Sequence, residues 1–129
     1  MKKFNFLVIL VLLFLSCNNE TKNEITKIEV LKNNYDFGKI TIQDTIIYTF
    51  KIKNISDRKL KINNIATSCG CTTIGEIDSI ADKNEEVNIK VQFIPKKEQI
   101  DSYVSNSIVL ETNTVPPYII FRLKGNVVK

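Results

Sequence analysis

The chain has 129 residues, 18 Lys+Arg against 14 Asp+Glu for a formal net charge of +4, 43% hydrophobic residues, 3 Cys, and neither His nor Trp. That length suits one domain. Without histidine there is no Ser-His-Asp or Cys-His nucleophile, no His-ligated metal site and no imidazole for proton transfer near neutral pH, so most familiar enzyme classes are disfavoured.

The chain opens on Lys2 and Lys3, continues through an unbroken apolar run over residues 6–15, and closes that run with Ser16 and Cys17. Such a run is about half the ~20 residues that a membrane-spanning helix needs, and suits the apolar region of a cleaved signal. The segment resembles a bacterial lipoprotein signal peptide, with Phe14 where those signals usually carry Leu and with a small residue, Ser16, before the cysteine. The resemblance implies cleavage after residue 16 and acylation of Cys17 on its sulfur and amine, a palmitate-type anchor in which several chains together hold the membrane stably. Residues 17–24 are polar and free of aromatics, as a flexible tether would be. Once Lys2 and Lys3 are removed, the net charge falls to +2, and the remaining lysines are scattered rather than striped. Nucleic-acid binding is not expected from that distribution.

From residue 17 onward the chain holds 19 Ile, 8 Val and 10 Thr but only 4 Leu and 2 Ala, a strand-forming stock. Position says more than composition. Ile46, Tyr48, Phe50 and Ile52 alternate with Ile47, Thr49, Lys51 and Lys53, the period of a strand with one buried face. Val87, Ile89, Val91 and Phe93 alternate with Asn88, Lys90 and Gln92, and Ile119, Phe121 and Leu123 alternate with Ile120, Arg122 and Lys124. Weaker runs cover 25–31, 59–65 and 105–112, the last with Ile108 and Leu110 inward. Turn-forming residues at 54–57, 82–84, 95–97 and 113–117 separate the runs. Roughly seven short strands spaced by turns about every ten residues predict an antiparallel β-sandwich.

The chemically unusual segment is Thr67-Ser68-Cys69-Gly70-Cys71-Thr72-Thr73. In an extended strand, Cα atoms two residues apart lie at the limit for a disulfide, so a bond between Cys69 and Cys71 needs a turn, which Gly70 permits. So small a loop would contribute little as a staple. Three chemistries fit the pair. One is thiol redox exchange, in which one thiolate attacks and the other resolves; the sequence shows neither a neighbouring cation closer than Lys61 nor a helix start to activate a thiol. Another is binding of copper(I) by two thiolates, whereas a structural zinc would require ligands the chain lacks. The third is a passive role as small buried hydrophobes or a static bond. Glu76 and Asp78 lack calcium-loop spacing and fit a solvated face better than a site. Glu85 and Glu86 fit a turn charge that discourages edge pairing. Ser68 and Thr72 have no base to activate them.

Ser68-Cys69-Gly70-Cys71-Thr72 resembles the hallmark of the bacterial family known as domain of unknown function 1573. Tyr35-Asp36-Phe37-Gly38-Lys39-Ile40, Phe50-Lys51-Ile52-Lys53-Asn54, Val91-Gln92-Phe93, Thr112-Asn113 and Leu123-Lys124-Gly125-Asn126-Val127 are similar to its other segments, so the resemblance covers about 35–128. Where that family usually turns on Pro-Gly before the Val87 strand, this chain has Asp82-Lys83-Asn84, and Asn84 can take the left-handed conformation required. The resemblance implies export or lipid anchoring and an immunoglobulin-like sandwich similar to ciliary ASH and sperm-protein domains.

The expected organisation is a signal peptide over 1–16, lipidated Cys17 and tether over 17–24, and an all-β immunoglobulin-like sandwich over 25–129. The expected role is a non-enzymatic binding or structural module on the cell envelope, on its periplasmic side or the cell surface, with the outer membrane favoured. The alternative is an envelope thiol-redox or copper(I)-handling protein that uses Cys69 and Cys71, with Ser68, Gly70 and Thr72 in support. No cofactor is expected. The expected partners are the lipid bilayer, through acylated Cys17, and an envelope protein reached by strand-edge or loop contacts.

Overall fold

Period-2 alternation becomes burial in the computed structural model, which describes residues 25–129. Strand β3 (Ile46–Asn54) buries Phe50 and Ile52, β7 (Glu86–Phe93) buries Val87, Ile89, Val91 and Phe93, and β9 (Tyr118–Val128) buries Ile119, Phe121, Leu123 and Val127. Lys51, Asn88, Lys90 and Arg122, from the intervening positions, face water. β3 and β7 pair antiparallel between β1 (Ile28–Val30) and β5 (Thr72–Ile74), giving one sheet of order β1-β3-β7-β5. The second sheet has the order β2-β9-β8-β4-β6, with β2 spanning Asn34–Thr41, β4 Leu60–Thr67, β6 Ile80–Ala81 and β8 Ser102–Thr112. A single 3-10 turn, η1 (Lys97–Gln99), links β7 to β8.

This is the β-sandwich that the alternation predicts, immunoglobulin-like as the family resemblance implies, with two differences. The described residues form nine strands rather than about seven, because β2, β5 and β6 join the sheets. The sandwich is also not antiparallel throughout: β2 runs parallel to β9. Antiparallel order is enforced only where a tight hairpin joins neighbours. Here residues 31–33 carry the chain from β1 in one sheet to β2 in the other, so β2 meets β9 without a hairpin between them.

Aromatic pairs join the two sheets. Phe50 of β3 stacks on Phe121 of β9 at 4.6 Å, Phe37 of β2 on Phe93 of β7 at 5.4 Å, and Tyr35 on Tyr48 at 3.9 Å between ring centroids. Fully burying a phenylalanine contributes ~1.5–3 kcal/mol and a favourable ring pair about 0.5–1.5 kcal/mol more. Tyr35 and Phe37 therefore belong to a strand that seals the core. The strand is bent by a register shift between Asp36 and Gly38, where Gly38 adopts φ 73° and its N–H donates to Asp36 Oδ1 at 2.9 Å. Opposite the bulge, Gly125 admits the Phe37 ring, which any Cβ there would overlap.

Asn84 takes the left-handed conformation expected of it, φ 66°. Asn54, wholly buried, donates from Nδ2 to the carbonyls of Arg58 at 2.7 Å and Ala81 at 3.0 Å, tying β3 to the edge of the other sheet. The expected signal peptide, Cys17 and the tether lie outside the described residues.

Candidate functional site

The sandwich carries two features of interest at opposite edges of the four-stranded sheet, one beside β5 and one beside β1. Beside β5, the chain leaves β4 at Thr67 and crosses between sheets to begin β5 at Thr72, so Ser68, Cys69, Gly70 and Cys71 form the crossing. Ser68 anchors its start: its N–H donates to the Ser107 carbonyl, and its Oγ accepts the Ser107 N–H, both at 2.9 Å. The Cys69 carbonyl accepts the Thr72 N–H and the Thr67 hydroxyl, each at 3.1 Å, which closes the turn. Cys69 and Cys71 are joined by a disulfide with a Cα separation of 5.2 Å.

The turn forms without glycine's special freedom, contrary to expectation. Among the described residues, Gly38 is the glycine with positive φ, and a Cβ on Gly70 would meet nothing within 4 Å. Closure comes instead from the hydrogen bonds to the Cys69 carbonyl.

The two sulfurs sit in different surroundings. Cys71 is 5% exposed and packs with the core, while Cys69 is only partly buried. Asn106 of β8, itself buried, donates from Nδ2 to Cys71 Sγ at 3.7 Å and to the buried Thr72 Oγ1 at 3.2 Å. Gln99 of η1 donates from Nε2 to the same sulfur at 3.7 Å, and its Oε1 accepts the Lys96 N–H at 2.8 Å, which fixes which end of the amide faces the sulfur. Cys69 Sγ receives the Cys71 backbone N–H at 3.1 Å. Thr72 thus supports the site as an acceptor for Asn106, with no base beside it to make a nucleophile.

Sequence reasoning found the cysteines and missed Asn106 and Gln99. Asn106 had a legible signal: Val104, Asn106, Ile108 and Leu110 share one phase of β8, so a polar residue stands at a core position. Gln99 had none, since η1 follows no pattern. Glu76 and Asp78 are exposed, and no cluster of three or more His, Cys, Asp or Glu side chains occurs among the described residues.

Beside β1 lies a groove of about 680 Å³. Ile25, Ile55, Val115, Tyr118 and Ile120 line it, five of the ten large hydrophobic side chains that are markedly exposed among the described residues. Two strand edges bound it. β1 ends its sheet and pairs only with β3 among the described residues. Among the described residues, the first of β9 are also uncovered on one side, because β2 meets β9 only from Arg122 onward. Val115 stands in the turn between β8 and β9, whose Val115-Pro116 peptide is cis.

A family described as "Protein of unknown function (DUF1573)" matches residues 28–127. No match is found among the curated proteins. Among solved structures, a Porphyromonas gingivalis W83 protein of unknown function is similar at a TM-score of 0.71 and 15% identity, over 82% of this chain and 49% of that one, so this chain spans about half its length. The ASH/PapD-like domain 7 of human CEP192 is similar at a TM-score of 0.66 and 12% identity, over 88% of this chain and 94% of that domain. The Vibrio cholerae protease VesB matches at 0.55 and 7% identity, over 80% of this chain and 32% of the protease. At these identities the likeness is one of fold.

Proposed function

The chain belongs to the DUF1573 family, and we propose that it is a lipid-anchored module of the bacterial cell envelope whose groove beside β1 binds a protein partner without catalysing a reaction. The observation that carries this reading is the groove beside β1. Apolar side chains exposed together, rather than singly, mark an interaction surface. The two uncovered strand edges say what kind of partner fits: an extended apolar segment that adds a strand by main-chain hydrogen bonds and places alternate side chains in the groove. Residues 1–16 as a cleaved signal and Cys17 as the acylated residue complete the reading, with residues 17–24 as the tether of the 25–129 domain. They rest on the positive start, the apolar run and Ser16 before Cys17.

Photo-crosslinking from Val115, 73% exposed, in the full chain expressed in cells tests the binding reading. The expected product is a discrete protein adduct whose crosslinked peptide is an extended apolar segment that also binds the purified protein. Adducts to lipid alone, or none, overturn it. The anchor is tested separately by the mass of membrane-extracted protein: a chain beginning at acylated Cys17 supports it, and an intact, unmodified N-terminus contradicts it.

A further inference from the structure

The disulfide beside β5 is chemically lopsided, and the binding reading makes no use of that. Cys71 is buried and its Sγ receives two side-chain amide N–H groups; Cys69 is a partly exposed residue whose Sγ receives a backbone N–H within the turn. Neutral amide donors do little for a disulfide sulfur, a weak acceptor. They do much more for a thiolate, because hydrogen bonds to an ionised partner are roughly twice as strong as neutral ones. Asn106 and Gln99 are therefore arranged for a charge that Cys71 does not carry while the bond is closed. In thiol–disulfide exchange, the sulfur that leaves most readily is the one whose thiolate is best stabilised, and the sulfur attacked is the one a partner can reach.

We propose that Cys69 and Cys71 form an exchangeable disulfide of fixed polarity, attacked at Cys69 Sγ with Cys71 as the leaving thiolate, that oxidises a dithiol on a partner protein. In the first step a partner thiolate bonds to Cys69 Sγ, the bond between Cys69 and Cys71 breaks, and the electron pair stays on Cys71 Sγ facing Asn106 and Gln99. In the second, the partner's other thiolate attacks its own sulfur in the mixed disulfide and expels Cys69 as a thiolate. Two electrons pass from the partner dithiol to the disulfide, and the two protons released by the partner's thiols are taken up, through water, by Cys69 and Cys71. Asn106 and Gln99 are positioning residues: they act through the Cys71 sulfur and need not touch the partner. Asn106 is held by its second hydrogen bond to Thr72 Oγ1, and Gln99 by the Lys96 N–H.

Brief exposure of the full chain to glutathione, followed by alkylation and tandem mass spectrometry, reads the polarity directly. The expected product carries glutathione on Cys69 and the alkyl group on Cys71. Glutathione on Cys71, an even mixture, or a bond that glutathione does not open overturns the proposal. Two variants test the amides without relying on one another. Gln99→Glu keeps the acceptor for the Lys96 N–H but replaces the donor to sulfur with a carboxylate oxygen that repels a thiolate; Asn106→Leu removes the other donor without adding charge. Asn106→Leu is expected to slow opening by about tenfold, the loss of one hydrogen bond to a charged group, and Gln99→Glu by more than that, and both to raise the pKa at which the Cys71 thiol of the reduced protein is alkylated. Opening rates and thiol titrations unchanged in both variants, with the oxidised proteins still folded by thermal melting, would mean that the amides serve packing alone.

Discussion

The two edges of the four-stranded sheet are built on opposite principles. Beside β5, the backbone is tied down at nearly every residue: Ser68 to Ser107, Cys69 to Thr72, and the Cys71 carbonyl to the Ile94 N–H at 3.0 Å. Asn106 and Thr72 form a buried polar pair there. Beside β1, exposed apolar side chains line the groove, and two strand edges are left uncovered among the described residues. A closed polar turn can hold a reactive bond in one geometry, while an open apolar groove can accept a variety of extended segments. One small sandwich thus separates its candidate chemistry from its candidate recognition surface, with the aromatic core between them.

The largest expected effect comes from breaking what the two edges share. Phe121→Ala empties the stacked pair with Phe50 at the centre of the core and should cost ~3–5 kcal/mol, lowering the thermal midpoint and loosening both edges together. Protection from hydrogen exchange at Glu29, opposite Lys53, and at Thr72 reads whether they loosen as one unit.

Gly70→Ala sharpens the account of the polar edge. Because the turn needs no positive φ at Gly70, the substitution should stabilise the fold by about 0.4–1 kcal/mol through the unfolded chain. Destabilisation in a melting experiment would mean that glycine's freedom is needed there after all. Ile55→Glu addresses the other edge. It should change stability by no more than ~0.5 kcal/mol while abolishing the adduct formed from Val115 and leaving the exchange rate at Cys69 unaltered.

The smallest effect lies away from both edges. The Asp44 carboxylate accepts the Thr41 N–H at 2.7 Å and the Thr41 hydroxyl at 3.0 Å, and these bonds hold its pKa below the usual carboxylate range. A carboxylate whose folded pKa is lowered stabilises the protein above its unfolded pKa and loses that contribution as pH falls through the folded value. The melting difference between the parent and Asp44→Asn should therefore be small at neutral pH and close as the solution is acidified.

Much of the sandwich was legible because β3, β7 and β9 each bury one face, and period-2 alternation reports that burial directly. β2 was not, since the bulge at Asp36 and Gly38 interrupts its alternation. β5 and β6, three and two residues long, are too short to show a period at all. The parallel pairing of β2 with β9 depends on which sheet the chain enters after β1, and no local pattern encodes that choice. At the site, the cysteine pair was legible as a motif, but its amide partners lie 28 and 35 residues from Cys71 along the chain. Their convergence is a property of the folded sheets. The groove is similarly assembled from residues 25–33, 55 and 114–120, none of which is unusual in its own segment.

The central claim, that recognition resides at the β1 edge and does not require the sulfurs, is tested most directly by one measurement. It is the Val115 photo-crosslink compared between the parent chain and the Cys69→Ser, Cys71→Ser double variant, with thermal melting to show that the variant is folded. Retention of the same protein adduct at comparable yield is the expected result. Loss of the adduct from a folded double variant would contradict the claim and move partner recognition to the cysteine turn.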